Sequence, residues 1–247
     1  ELFRVFAGEK EDVAANRIGI LGMTPQDISD LRAADRIRER FAAEGKTAVC
    51  YGMGDGLEDV KRVSGVEKNI VVSPAALEAA KYLERTYGTP YETGYPLVDE
   101  LVCDMDYHGK KVLIVQQQVI GCAIREEILK KAPDAQVTVA SWFMMKTELR
   151  RDEDLNLRDE EDYIGLVENG AYDVIYADSC MKRMTPKFEG LFVDTIHFAV
   201  SGKLVTVEAA KKLKEPKKPR GSKEPDKTDS HEYYDYDRMR PMGEVYE

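Results

Sequence analysis

NIVVSPAALEAAKYLERTYGTPYETGYP, Asn69 to Pro96, is the stretch that decides the fold class. An apolar run (Ile70, Val71, Val72) stops at Ser73-Pro74. Serine is a good helix N-cap, and proline fits the first helical turn, where its missing N–H removes nothing. Ala76, Ala80, Leu83 and Tyr87 then recur at i, i+4, i+7 and i+11, which is one face of a helix. Gly88 is placed to end that helix, and an aromatic loop with Pro90, Tyr91, Tyr95 and Pro96 follows. The unit reads strand, capped helix, stop. In an open α/β sheet the Val72-Ser73 turn falls at the carboxyl end of a strand, where such folds bind ligands.

The same plan repeats upstream. Ile18 to Met23 is a short buried-strand candidate, and Thr24-Pro25 is a second cap-plus-proline start with Asp27 near the positive helix end. That helix is expected to run to about Glu44 and stop at Gly45. Thr47 to Tyr51 reads as a strand, Gly52 to Gly56 as a sharp loop, and Leu57 to Val63 as a short helix. The order βαβαβα with near-continuous apolar strands predicts a parallel sheet covered on both faces.

Downstream, Leu97 to Gly109 reads as a helix and crossing. Val112 to Val115 opens a second unit, with a helix from about Ile120 to Lys131, a strand over Val137 to Phe143 and a helix over Glu160 to Glu168. Val174 to Tyr176 and part of Phe188 to Ile196 read as strands, and Val207 to Leu213 as a helix. The expectation is two doubly wound, mainly parallel-sheet (Rossmann-like) α/β domains, residues 16–96 and 109–213. A proline-broken, charge-dense tail (214–247) follows, unable to bury enough surface to fold alone.

Composition narrows the function classes. The 247 residues carry 43% apolar residues and a formal net charge of −10. That balance argues against non-specific nucleic-acid binding, which needs clustered cations facing phosphates. No apolar run approaches the roughly 18 residues of a spanning helix, and no secretory pattern is present, so a cytoplasmic protein is expected. The four cysteines are scattered with no CxxC pair, so neither a zinc module nor a disulfide framework is signalled. The first residue is Glu, and the chain reads as a possible fragment or processed product.

Several residues carry candidate chemistry. The loop Gly52-Met53-Gly54-Asp55-Gly56 invites a phosphate site, but its spacing fits neither glycine-rich motif and Asp55 repels phosphate; a tight turn is the better reading. Gln116-Gln117-Gln118 ends a buried strand, and its amides suit either a polar ligand or the backbone at a helix start. Cys122 falls in the first turn of the next helix, where the dipole lowers a thiol pKa; a buried structural thiol is the favoured alternative. His197 follows an apolar strand, the position of a general acid or a ligand contact, with a satisfied structural histidine slightly favoured.

The blocks IGILGMTPQDISDLRAADRIRERFAAEGKTAVCYGMGDGLEDVKR and NIVVSPAALEAAKYLERTYGTPYETGYP together resemble nitrogenase component 1 type proteins. GKKVLIVQQQVIGCAIREEILKK, YDVIYADSCMKRM and VDTIHFAVSGKL resemble that family's next domain, so the likeness covers roughly Asn16 to Leu204. It implies a catalytic-component subunit of a nitrogenase-like reductase, fed electrons by an ATP-dependent iron-protein partner. A homologous second subunit or a homo-oligomer would complete it. It implies an iron–sulfur cluster with ligands outside this segment. Ser73 stands where true nitrogenase α-chains place a cluster-ligating cysteine, and Val119 where they place a cofactor-contacting arginine, so dinitrogen reduction is not expected. His197 falls near the family's cofactor-ligand histidine. The expected pocket is lined by Ser73, Gln116, Gln117, Gln118, Cys122 and Lys182 as cofactor-binding residues, with His197 as the catalytic proton donor or ligand contact. The alternatives are a non-catalytic cofactor-assembly scaffold and a small-molecule-binding α/β protein.

Overall fold

The structure is a computed structural model that describes residues 1–205. The expected helix over 207–213 and the tail lie outside the described residues.

The chain alternates strands and helices: α1 (Leu2–Phe6), β1 (Ala14–Leu21), α2 (Ala33–Ala43), β2 (Thr47–Tyr51), α3 (Leu57–Lys61), β3 (Val66–Val71), α4 (Leu77–Tyr87) and β4 (Tyr91–Thr93). The second half follows: β5 (Lys111–Val115), α5 (Gln118–Lys131), β6 (Gln136–Ser141), β7 (Leu155–Asn156), α6 (Glu160–Gly170), β8 (Val174–Ala177), β9 (Leu191–Asp194) and α7 (Phe198–Ser201). The strands form two sheets, β2-β1-β3-β4 and β7-β6-β5-β8-β9. Every neighbouring pair is parallel. The molecule is therefore α/β, as the alternation predicts.

Strand side chains sort by parity. Ile18 and Ile20 of β1, with Val112 and Ile114 of β5, join one cluster that also takes Ile37 and Phe41 of α2 and Ile120, Ile124 and Ile128 of α5. Leu21 and Val71 point to the opposite face, against Ala80 and Leu83 of α4. Leu113 and Val115 do the same against Tyr163 and Val167 of α6. Both faces of both sheets are buried, which is why the strands read as unbroken apolar runs rather than alternating ones. Both sheets belong to one compact unit.

The quoted stretch folds as it reads. Ser73 Oγ accepts from Ala75 N, Pro74 opens a 3₁₀ turn, and α4 ends at Gly88 in the left-handed region. Elsewhere the boundaries differ. Residues 24–32 hold only turns at 25–27 and 31–32, and α2 starts only at Ala33. The carboxylate of Asp30 accepts from Arg32 N and pairs with Arg36, so an Asx turn sets the start there instead of at Pro25. The crossing over 97–109 holds only a 3₁₀ turn, Val98–Glu100. Four elements exceed the sequence reading: α1, α7, and the edge strands β4 and β7, the last two residues long.

Candidate functional site

In a doubly wound sheet the strand order reverses at a switch point, and the strand ends there leave a crevice. The first sheet reverses between β1 and β3, the second between β5 and β8. Most of the residues singled out above follow these strands.

After β3, Ser73 is fully buried, and its hydroxyl donates to Asp27 Oδ2 at 2.5 Å. Asp27 comes from the turn after β1, where Gly22 has φ +93 and a Cβ would sit 2.9 Å from Ser73 Cβ. Only a residue without a side chain lets the two turns approach this closely. The Ser73 oxygen is thus engaged twice, by Asp27 and by its own cap.

After β5, each glutamine finds backbone partners. Gln116 Oε1 accepts from Gln117 N at 2.9 Å, and its Nε2 reaches Thr195 O at 3.5 Å. Gln117 Oε1 caps α5 through Val119 N at 2.8 Å, while Nε2 donates to Val72 O at 2.7 Å. Gln118 pairs with Lys146 N at 2.6 Å and Lys146 O at 3.0 Å. Of the two uses open to these amides, the structure places all three on backbone groups.

After β8 and β9 come Asp178 and His197. Asp178 is buried and accepts from Cys180 N, Ser201 Oγ and His197 N. Burial pushes its carboxyl pKa up, but these hydrogen bonds outweigh it and hold the pKa below the ordinary value. His197 is 2% exposed and stacks on Phe143, centroids 4.7 Å apart and rings 8° from parallel. Neither ring nitrogen has a partner among the described residues, and the same is true of Thr195 Oγ1 nearby in the chain. Burial lowers the imidazole pKa, partly opposed by Asp27 and Asp178, which favours the neutral ring. A cavity of about 10 Å³ lies beside it, lined by Gln116, Ser141, Trp142 and Val200 among others. That is room for one water.

Cys122 and Lys182 sit apart from this group. Lys182 is exposed, its ammonium 5.8 Å over the Phe192 ring. Cys122 borders a larger cleft of about 630 Å³ between α2, the β4 loop and α5, which none of the other six residues lines. Its thiol lies 3.4 Å from Arg125 Nη2, yet burial pushes its pKa up to about 11 against the guanidinium's pull. The first-turn placement does not hold: α5 starts at Gln118, two residues earlier than expected, so Cys122 lies in the second turn, beyond the reach of the helix end, and burial dominates. Arg125 and Asp154 behind it form a buried ion pair at 2.5 Å.

Sequence reasoning missed Asp27 as a site residue, taking it only as a helix-end carboxylate, and missed Asp178, Thr195 and Phe143. The positional signal was available for Asp178, which stands directly after a strand. Nothing local marks Asp27, whose partner is 46 residues away.

The fold is nitrogenase-like. A nitrogenase Cp1 structure at pH 6.5 matches with a TM-score of 0.52 and 15% identity, over 78% of this chain and 55% of that one. The chain thus spans little more than half of the neighbour. An N-acetyl-L-ornithine transcarbamylase mutant complexed with PALAO matches at a TM-score of 0.34 and 11% identity, covering 85% of this chain and 89% of that one, too weak to carry an argument. No family model and no curated protein matches the chain.

The residues at the strand ends do not fit an iron–sulfur cluster. The Ser73 hydroxyl is engaged by Asp27 and by its own cap, and among the described residues no three His, Cys, Asp or Glu side chains converge to hold a metal ion. No described helix is long and apolar enough to cross a membrane.

Proposed function

We propose that this chain is a subunit of a nitrogenase-component-1-type reductase whose strand-end site handles protons, the cluster being held by residues outside this segment. Electrons come from an ATP-dependent iron-protein partner, and a homologous second subunit or a second copy completes the assembly. The nitrogenase-like fold supports the class. One observation carries the site: a buried imidazole at the strand ends with both ring nitrogens free of protein partners among the described residues. Buried polar atoms are nearly always paired, and those that are not call for an explanation. A neutral imidazole has one nitrogen to donate and one to accept, which is what passing a proton requires.

The chemistry follows from these residues alone. His197 holds or passes a proton at a ring nitrogen, and Phe143 fixes the ring plane. Asp178 anchors the backbone at His197, and its charge, with that of Asp27, favours the imidazolium formed in passing. A scaffold without turnover is the second reading, favoured by the full engagement of Ser73 and the glutamines.

The test is ATP-dependent turnover by the full chain assembled with its iron-protein and component-1 partners. His197→Gln should leave assembly and iron content intact and lower turnover by about 10²-fold or more, the worth of a general acid. Turnover indifferent to His197 overturns the proton role. Tight binding of a cofactor precursor with no ATP-dependent reduction decides for the scaffold.

A further inference from the structure

We infer that the chain supplies its own occupant for the strand-end cleft: the side-chain amides of Gln116 and Gln117 take the hydrogen bonds that an oxygen-bearing ligand would take at the start of α5. In open α/β folds the ligand sits at the switch point, its oxygens on free N–H groups of a helix N-terminus. Helix α5 begins at such a point, between β5 and β8. Here the Val119 N–H meets Gln117 Oε1 at 2.8 Å, and the Gln117 N–H meets Gln116 Oε1 at 2.9 Å. Both acceptor oxygens belong to the chain itself.

The other end of the Gln117 amide reaches across. Its Nε2 donates at 2.7 Å to Val72 O, the carbonyl just before Ser73 at the other sheet's switch point. One carboxamide therefore spans both walls of the cleft. Gln118 closes a further side, since its two-point pairing with Lys146 draws the segment after β6 to the helix start. All three glutamines are at most 5% exposed, and the cavity beside Gln116 and His197 measures only about 10 Å³. A ligand larger than a water has to displace a glutamine first, and the displaced amide gives up hydrogen bonds at both ends. The site is built closed. Opening it by moving Gln117 loosens the helix cap and the bridge between the sheets together. This inference stands on the amide geometry and does not depend on the electron partner.

The test uses the isotope-labelled full chain, inorganic phosphate as the probe, and amide shifts and hydrogen exchange over residues 117–121. In Gln117→Gly, which costs a helix N-cap little, the Val119 N–H loses its partner. Its exchange should rise on the order of tenfold, the effect of one hydrogen bond. Phosphate should then shift these amides saturably and slow the exchange again. The wild type should show neither response. Should the glycine variant not fold, Gln116→Ala frees the Gln117 N–H and is read in the same way. A wild type that responds to phosphate as strongly as the variant overturns the inference, and so does a folded variant that gains no response.

Discussion

Replacing Asn69 by leucine should stabilise this protein. Asn69 lies in β3, fully buried, in register with Gly19 of β1. Its Oδ1 fills the notch beside that glycine, 2.2 Å from where a Cβ would stand. Neither Oδ1 nor Nδ2 has a partner among the described residues. Mutational data put the burial of an unpaired amide at about 1–3 kcal/mol. Leucine is close in volume, removes that penalty and adds apolar contact, so Asn69→Leu should raise the unfolding free energy by about 1–3 kcal/mol. In a chain of this size that is a Tm increase of about 2–4 °C per kcal/mol. Asn69→Ala is the control: it removes the same polar atoms but leaves a void, so the two effects should roughly cancel. Urea unfolding followed by the fluorescence of the single tryptophan, Trp142, and by circular dichroism gives both values, provided the m-value is unchanged. A loss of more than about 1 kcal/mol in Asn69→Leu would mean that the amide is hydrogen-bonded after all. The same accounting singles out His197, so that result would remove the support for the proton site as well.

Two further predictions concern buried charge. Asp154→Ala leaves Arg125 buried without its carboxylate and strips Val139 N and Arg151 N of an acceptor. It should cost about 3–5 kcal/mol, whereas Arg125→Met with Asp154→Leu should cost far less; equal losses in the two, by the same urea titration, would contradict a pairing role. For His197 the folded pKa is lowered, so between the folded and unfolded values the unfolded chain binds more protons. Its contribution to stability is complete above the unfolded pKa of about 6.5 and is lost as pH falls towards the folded value. His197→Gln should therefore flatten the fall in stability below pH ~6.5, and an unchanged slope would show that another group sets it.

What the sequence determined by itself is local and repetitive. The cap at Ser73, the apolar face through Ala76, Ala80 and Leu83, and the stop at Gly88 each depend on residues within one or two turns of each other. Alternating them with apolar strands buried on both faces leaves a parallel α/β fold as the packing that hides every apolar surface. Thr24-Pro25 carries the same local signal and yet starts no helix, because Asp27 is held by Ser73 and Asp30 by Arg36. The edge strands β4 and β7 are too short to show any period, and only the neighbouring strand defines them. At the site, sequence position put Ser73, the glutamines and His197 at strand ends. Tertiary structure alone decided that Gln117 bonds Val72, that burial raises the Cys122 thiol pKa, and that the His197 ring is left without protein partners among the described residues. Hydrogen bonds between residues tens of positions apart, and the exclusion of water around them, leave no mark on the local pattern of a chain.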